Sequence, residues 1–252
     1  MISIFRKSKK TIERENYKFP SHFIDIHSHI LPSIDDGSQS FDESINLLLD
    51  MKALGVSKFV FTPHVINGVW DNSSADIISR RDEFLDVVKR NPYLQDVTIR
   101  VAAEYMMDDY FKNVLIPNKD LLTIKDNKVL VEMSYMAPPI HLYEIIAELQ
   151  VAGYQPILAH PERYRTYHND LSEYKKLKDA GCEFQINLLS LTNYYGINVH
   201  ETAMYLLKNG MIDYCGSDTH NDRHVKTFET FSSRGEIMKL MDPIFENNKN
   251  LI

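Results

Sequence analysis

The sequence contains only two cysteines, Cys182 and Cys215, in 252 residues. Two cysteines are too few for a disulfide framework, so we expect a protein of a reducing compartment, the cytoplasm. The chain also lacks any run of about 18 apolar residues, the length that spans a bilayer. Its first residues, MISIFRKSKK, carry charge where a signal peptide has an apolar stretch. The sequence therefore predicts neither secretion nor membrane insertion.

An excess of basic charge is also absent, because 28 Lys and Arg residues stand against 35 Asp and Glu residues, for a formal net charge of −7. General nucleic-acid binding uses a broad basic surface, so we expect no nucleic-acid partner. The signatures G-x-G-x-x-G and G-x-x-x-x-G-K-[ST] of nucleotide-binding folds do not occur. The length and the globular composition, 44% hydrophobic and 25% charged, suit a single domain. We assign that domain to residues 21–252, behind a flexible N-terminal arm of residues 1–20.

Seven apolar, strand-like runs alternate with helix-like segments along the chain. The runs read HFIDIH, SKFVFT, VTIRVAAE, KVLVEM, QPILAH, CEFQINL and MIDYCGSD. The first helix-like segment begins after Ser40, a predicted N-cap with Glu43 at the third helical position, and ends near Gly55. Such alternation favours a mostly parallel sheet. Without a nucleotide-binding signature, seven strands favour an α/β fold of the closed or nearly closed barrel type.

A residue type that binds metals follows almost every predicted strand; the sixth run ends instead in Asn187. In a parallel barrel the carboxyl ends of the strands meet at one mouth, so these side chains are expected in one cleft. Packing does not explain apolar strands that repeatedly end in ionisable groups, since buried charges need partners. The candidate ligands are His27, His29, Asp36, His64, Glu104, Glu132, His160, Asp218 and His220.

Each motif has a second interpretation when it is taken alone. A His-x-His pair can be an ordinary half-exposed pair on a strand, and the Asp-Asp-Gly that follows is a common turn, so only the joint recurrence favours a site. Asp25 either orients a ligand histidine or faces away from the site. Five other histidines are predicted to be solvated, namely His22, His141, His168, His200 and His224.

Five histidines and four carboxylates without cysteine form a nitrogen and oxygen donor set, which suits Mn²⁺, Fe²⁺ or Zn²⁺. Nine donors are too many for one ion. Four carboxylates in one cleft repel each other unless cations neutralise them, so metal binding is expected to stabilise the fold. Three divalent ions would more than neutralise the carboxylates and would attract a phosphate dianion.

The motifs DIHSHILPSIDDGS, TPH, AAEY, VLVEMS, LAHPERY and GSDTHN resemble, in order and over residues 23–223, those of the PHP (polymerase and histidinol phosphatase) superfamily. Within it they look most like the capsule-type, manganese-dependent protein-tyrosine phosphatases. The resemblance implies a distorted (β/α)₇ barrel with three metal ions at the carboxyl ends of its strands. The implied ligand sets are His27, His29, Glu104 and Asp218 for one ion, Glu104, Glu132 and His160 for a second, and Asp36, His64 and His220 for a third.

The resemblance also implies a chemistry. In this family two arginines steady the phosphate, and Arg163 and Arg223 are the matching residues, although Arg223 follows the last ligand histidine earlier than the family's arginine does. We expect a metal-bound hydroxide to attack phosphotyrosine directly. Neither cysteine begins the C-x₅-R loop of a thiolate phosphatase. The implied substrate is a tyrosine-phosphorylated protein, in particular a membrane-attached tyrosine autokinase of capsule or exopolysaccharide biosynthesis.

Three other functions remain open on the sequence. They are a phosphatase of a small metabolite such as histidinol phosphate, a nuclease or polymerase-associated role, and a binding module whose metals are purely structural. Tyr105, Tyr135 and Tyr164 each follow a candidate ligand closely. They would either line the mouth and stack on a phosphotyrosine ring or pack around the barrel rim.

Overall fold

The computed structural model describes residues 17–229, 231 and 235–251, along which helices and strands alternate as predicted. The helices are α1 (Phe41–Ala53), α2 (Ser74–Val88), α3 (Ile116–Asn118), α4 (Leu142–Val151), α5 (Ser172–Asp179), α6 (Ile197–Lys208), α7 (Asp222–Phe228) and α8 (Gly235–Lys249). The strands are β1 (Lys58–Phe61), β2 (His64–Val65), β3 (Thr98–Val101), β4 (Glu104–Met106), β5 (Lys128–Glu132), β6 (Gln155–Ala159), β7 (Glu183–Asn187) and β8 (Tyr214–Gly216). Short π and 3₁₀ turns lie at Phe111–Leu115, Pro161–Arg163, Arg165–Tyr167 and Leu188–Thr192.

All of the paired strands are parallel, which confirms the predicted mixed α/β fold. One sheet pairs β1 with β3, and a second has the order β2-β4-β5-β6-β7-β8. The second predicted strand corresponds to β1 and is followed after a break by the short β2, and the third is divided between β3 and β4. The first split falls at Pro63, which has no N–H to donate to a ladder. Its carbonyl still accepts from Glu104 N at 3.0 Å, so the strands stay aligned across the break.

The first predicted strand, HFIDIH, is wrong as a regular strand, because residues 22–27 show one isolated bridge, from Asp25 to Phe59. A second bridge joins Ser28 to Thr219. The segment therefore lies between β1 and the residues that follow β8. Regular pairing with β8 is interrupted because the Asp25 carboxylate accepts from Ser217 N at 2.8 Å and from Ser217 Oγ at 2.6 Å.

Apolar helix faces cover the strands. In α4 the buried residues are Leu142, Ile145, Ile146 and Leu149, the spacing of one helix face. In α1 the predicted N-cap is confirmed, since Ser40 Oγ accepts from Glu43 N at 3.2 Å. This packing holds the carboxyl ends of the strands at fixed positions. Among the described residues, no helix combines the length and the apolar character needed to cross a membrane.

The predicted N-terminal arm falls largely on residues 1–16, outside the described residues. The structure does describe the end of that arm, and Phe19 there is buried. Its N–H donates to Leu54 O at 2.7 Å, and its ring lies 5.0 Å from that of Phe23. Phe19, at the end of the predicted arm, therefore packs against the core of the domain.

Candidate metal centre

The nine predicted ligands come together at the carboxyl ends of the strands. His27 and His29 lie on the segment beside β1, His64 begins β2, Glu104 begins β4, and Glu132 ends β5. His160 directly follows β6, and Asp218 and His220 follow β8. One cavity of about 670 Å³ opens over them, and seven of the nine line it; His27 and His29 lie buried beside it.

Donor atoms of these residues lie close enough to share cations. Four groups each have all their donor atoms within 4.8 Å of one another. The shortest contacts are His64 Nδ1 to Glu132 Oε1 at 2.9 Å and His160 Nε2 to Glu104 Oε1 at 3.0 Å. The groups are His29, Asp36, His64 and His220; His27, Glu104 and His160; His27, His29 and Asp218; and His64, Glu104 and Glu132.

Several of these donor atoms are buried without a hydrogen bond. Both carboxylate oxygens of Glu104, Oε1 of Glu132 and Nδ1 of His64 have no hydrogen-bond partner, although they face each other at about 3 Å. Buried polar atoms are normally satisfied, so such a group requires an explanation. Nitrogen and oxygen lone pairs that point at common positions are what a divalent cation binds. The donor set therefore fits the predicted metal ions.

Two glycines let the backbone pass close to the histidines. A Cβ on Gly37 would lie 2.0 Å from His29 O, and one on Gly216 would lie 2.5 Å from His27 Cβ. His160 and Asp218 adopt positive φ angles of 35° and 50°, which L-residues rarely do. Strain of this kind persists only where the surrounding structure imposes it, and it concentrates at functional sites.

A second layer of side chains orients the ligands. His27 Nδ1 donates to Gln185 Oε1 at 2.7 Å, and His29 Nδ1 donates to Asp35 Oδ2 at 2.7 Å. Both histidines therefore turn Nε2 towards the carboxylates, with the two Nε2 atoms 3.2 Å apart. Such outer partners fix the tautomer and the ring orientation of metal-binding histidines. Neither Gln185 nor Asp35 is among the candidate residues predicted from the sequence.

The sequence left open whether Asp25 orients a ligand histidine or faces away from the site. In the structure it faces away from the imidazoles. Its carboxylate lies under Ser217 and reaches His27 only at the backbone N–H, at 3.4 Å. Asn187, which ends the sixth predicted strand, does take part in the site. Its Nδ2 donates to Asp218 Oδ2 at 2.6 Å.

The two predicted phosphate-binding arginines have different positions. Arg163 lines the cavity, and its Nη1 donates to Asp218 Oδ2 at 2.8 Å. Its guanidinium carbon lies 4.3 Å from the Tyr195 ring centroid and 4.7 Å from that of Tyr135. Both rings are within the range of a cation–π contact, which helps to hold the guanidinium in place.

Arg223 is exposed on α7 and does not line the cavity. The structure therefore does not bring it to the predicted position at the phosphate. Helix α7 begins directly after its N-cap Asn221, and successive helical residues point about 100° apart. The inward position is taken by His224, which is buried and lines the cavity, whereas the sequence analysis predicted a solvated histidine.

Residues 23–233 match the sequence family described as capsular polysaccharide synthesis, CpsB/CapC. The chain belongs to the CpsB/CapC family. It is 30% identical to the tyrosine-protein phosphatase YwqE of Bacillus subtilis (strain 168), over 79% of this chain and 77% of the relative. It is 29% identical to the tyrosine-protein phosphatase CpsB of Streptococcus pneumoniae, over 79% and 83%.

A solved structure agrees with this family assignment. The alignment covers 90% of this chain and 93% of the solved chain, with a TM-score of 0.80 and 26% sequence identity. It comes from a study of YwqE from Bacillus subtilis and CpsB from Streptococcus pneumoniae, described as unique metal-dependent tyrosine phosphatases. The predicted resemblance is confirmed at the level of the family.

In this CpsB/CapC family member the site is strongly polarised. Burial raises the pKa of Glu104, but His27 and His64 beside it outweigh burial and hold that pKa well below its usual range. Burial and His29 lower the pKa of His64, yet the neighbouring Glu104 and Glu132 raise it to about 9. Glu104 therefore favours its charged form and His64 its protonated form. A cation bound by His64 must displace that proton, so metal affinity should fall in acid.

Tyr105, Tyr135 and Tyr164 were expected either to line the mouth of the site or to pack around the barrel rim, and both positions occur. Tyr135 lines the cavity, whereas Tyr164 is buried and donates to Ala159 O at 3.0 Å. Tyr105 is also buried, and its hydroxyl accepts from Leu122 N at 2.8 Å. Tyr195, which was not predicted from the sequence, also lines the cavity and lies in contact with the Arg163 guanidinium. It lies 32 positions along the chain from Arg163, so no local motif links them.

Proposed function

We propose that this CpsB/CapC family member is a metal-dependent protein-tyrosine phosphatase with a trinuclear site. The observation that carries the proposal is the meeting of nine nitrogen and oxygen donors, several of them buried and unsatisfied, at and beside one cavity that Arg163 also lines. The named relatives are tyrosine-protein phosphatases, and the similar solved structure is described as metal-dependent. A cavity of about 670 Å³ is of the size that small-ligand sites have.

The donor groups support part of the ligand allocation that the family resemblance implies. His27, His29 and Asp218 form one group, and Asp36, His64 and His220 lie together in another, whereas Glu104 groups with His160 and with Glu132 separately. We propose Mn²⁺ as the ion, with Fe²⁺ or Zn²⁺ compatible with the same donors. Bound ions would lower the pKa of a coordinated water and neutralise phosphoryl oxygens. The proposed sets are His27, His29, Glu104 and Asp218; Glu104, Glu132 and His160; and Asp36, His64 and His220.

The chain's own residues would bind and orient the phosphoester. Arg163 presents N–H donors at the cavity, and its planar fork matches the geometry of phosphate oxygens. The rings of Tyr135 and Tyr195 both contact that fork. The same ring of Tyr135, 39% exposed, offers an apolar surface for a substrate phenyl ring.

The cysteines are unsuited to act as nucleophiles. Cys182 and Cys215 are free and buried, and burial raises the pKa of Cys182 to about 12. Burial, together with Asp25, raises the pKa of Cys215 as well. Because the thiolate is the reactive form, both thiols should be inert. Changing both cysteines to serine should leave most of the turnover intact, and its collapse would contradict direct attack by water.

We infer that the fold is a distorted (β/α)₇ barrel and that residues 21–252 form a single domain. The barrel would have seven strand positions. The segment around residues 25–28 supplies the first, β1 together with β2 supplies the second, and β3 together with β4 supplies the third. The strands β5 to β8 supply the other four. The bridges of Asp25 to Phe59 and of Ser28 to Thr219 support closure, because they connect the first position to both ends of the strand order.

The substrate we propose is a tyrosine-phosphorylated protein, in particular a membrane-attached tyrosine autokinase of capsule or exopolysaccharide biosynthesis. Support comes from the family's description in capsular polysaccharide synthesis. We place the reaction in the cytoplasm, which fits two cysteines that are both free.

The test is phosphate release from a tyrosine-phosphorylated peptide by chelator-treated protein, with and without Mn²⁺. Asp218→Ala and His160→Ala should lose the manganese-dependent turnover, and both should bind less metal by elemental analysis. Arg90→Ala, an exposed change in the loop between α2 and β3, serves as the control. No turnover by protein shown to carry metal would contradict the proposal. Hydrolysis of histidinol phosphate with no action on the peptide would favour a metabolite phosphatase.

A further inference from the structure

The cavity above the metal ligands continues sideways into a groove. Tyr135, Arg163 and Tyr195 line both the main cavity and an adjoining one of about 360 Å³. That space continues past Arg165, Tyr195 and Val199 into a third cavity of about 310 Å³. We call this the side groove and define it by residues that line the two smaller cavities: Tyr135, Met136, Arg165, His168, Tyr195 and Val199. Anything bound at Arg163 therefore has an open path along the side groove.

The side groove is basic on a chain that is acidic overall. Its two cavities are lined by no Asp or Glu, although the chain carries 35 of them. Arg165 is exposed there, and its guanidinium forms no ion pair or hydrogen bond with any residue that the structure describes. His168 adds a second nitrogen-bearing side chain, with Nε2 donating to Glu162 O at 2.8 Å. The side groove thus presents unpaired positive charge at Arg165.

Another flank of the mouth carries acidic side chains. A cavity of about 370 Å³ that shares Met106 and Ser134 with the main one is lined by Asp108, Asp109 and His141, with Pro139 and Ile140 beside them. A negatively charged chain crossing the mouth would be repelled on that side and attracted on the Arg165 side. The two flanks therefore give the mouth an electrostatic direction.

We propose that the side groove binds the polypeptide on one side of the substrate phosphotyrosine, and that Arg165 pairs with a carboxylate side chain of that polypeptide. The proposal rests on the proposed phosphatase function, and it narrows the substrate to phosphotyrosine with an acidic neighbour. Continuity of the side groove with the cavity and charge complementarity carry it. Because an extended chain advances about 3.3 Å per residue, the partner carboxylate is expected within a few residues of the phosphotyrosine.

The experiment compares kcat/KM on manganese-loaded protein for a set of phosphotyrosyl peptides. Each peptide carries one Glu, at one of three positions on either side of the phosphotyrosine, and its match carries Gln there. Rates on p-nitrophenyl phosphate, which has no flanking residues, normalise every variant for the integrity of the metal centre. Wild-type protein should prefer Glu over Gln about threefold to fivefold at one or two positions, the range of a partly exposed ion pair, chiefly through KM.

Two variants make the test specific. Arg165→Ala should abolish the Glu preference at those positions, and Arg165→Glu should invert it in favour of the matched Gln peptide. Arg90→Glu changes the net charge equally, but it lies in the loop that enters β3, at the opposite end of the sheet from the ligands. It should leave the preference intact. Raising the salt concentration should shrink the wild-type preference, because exposed charges are screened.

The possible failures are distinguishable. Equal kcat/KM for all Glu and Gln peptides, or a Glu preference that Arg165→Glu does not change, would overturn the side-groove proposal and leave the phosphatase in place. An equal fall in the kcat/KM of the Arg165 variants on the peptides and on p-nitrophenyl phosphate would show that Arg165 acts on the metal centre. This result would also overturn the proposal. Absence of any peptide hydrolysis by metal-loaded wild-type protein would contradict the proposed function itself.

Discussion

The metal centre has two regions that use the same residue types in different surroundings. We call His27, His29, Glu104 and Asp218 the floor, and Asp36, His64 and His220 the rim. Floor side chains are 0–2% exposed, whereas those of Asp36, His64 and His220 are 57%, 12% and 16% exposed. The floor is braced by Gln185, Asp35 and Asn187, while the rim faces the cavity.

This difference separates two roles for similar donors. Removing one partner from a buried charge cluster typically destabilises a protein by about 3–5 kcal/mol, because the remaining charges lose their compensation. An exposed pair contributes about 0–1 kcal/mol. Metal binding at the floor should therefore be coupled to folding. A metal ion at the rim should exchange with solvent and change the stability of the protein only slightly.

The largest effect is expected from Glu104→Gln on the floor. Glu104 approaches His27, His64 and His160 and belongs to two of the four donor groups. Neutralising it should reduce kcat/KM by at least about 10³-fold and remove most of the thermal stabilisation that Mn²⁺ provides to wild-type protein. Kinetics, elemental analysis and thermal unfolding with and without chelator check this. Retention of activity within tenfold would show that Glu104 is not shared between ions.

The second effect compares the two arginines. Arg163→Ala removes a donor aimed into the cavity, and such losses reduce turnover by about 10²–10³-fold. Arg163→Lys should recover little of it, since an ammonium lacks the planar fork. Arg223→Ala should change kcat/KM by less than about twofold, because Arg223 lies outside the cavity lining. Equal losses for the two alanine variants, at unchanged metal content, would mean that α7 rearranges when substrate binds.

A smaller, conditional effect is expected at the rim from Asp36→Ala. At limiting Mn²⁺ its activity should fall about 100-fold, and excess Mn²⁺ should restore most of it, because the change weakens one exchangeable ion. Thermal stability in chelator should change by less than about 1 kcal/mol. A titration of activity against free Mn²⁺ measures this. Activity that excess metal does not restore would place Asp36 with the floor.

The smallest effect at neutral pH is expected from His224. Burial lowers its pKa to about 4, although the neighbouring Asp218 opposes the shift. Between pH 6.5 and 4 the unfolded chain binds a proton that the folded chain does not, so stability falls as the pH falls through this window. His224→Gln should remove this acid-induced loss of stability, which amounts to about 2 kcal/mol at pH 5 and to almost nothing at pH 7. Urea unfolding of metal-free wild-type and His224→Gln protein at pH 7 and pH 5 tests this. An equal loss of unfolding free energy in the two proteins between these pH values would contradict it.

Sequence reasoning predicted the parts of this molecule that depend on neighbours along the chain. The Ser40 cap, the parallel α/β order and the grouping of nine candidate donors were predictable because strand, helix and cap patterns are local, and most of these donors follow predicted strands. The pairing of Asp35 with His29 was missed even though the two are six residues apart. In the Asp-Asp-Gly turn the first aspartate supports a ligand and the second faces the cavity, which depends on how the turn folds back over Gly37.

Tertiary structure alone decided the rest. Gln185 reaches His27 across 158 positions, and Tyr195 covers Arg163 from another loop, so neither pairing leaves a pattern in the sequence. Arg223 and His224 differ by one position, yet the start of α7 turns one outward and the other into the cavity. The sequence by itself determined which donor types stand at the carboxyl ends of the strands, because strand and helix periodicity is local. Only packing decided which of them are buried, braced and close enough to share an ion, because those properties depend on contacts between distant segments.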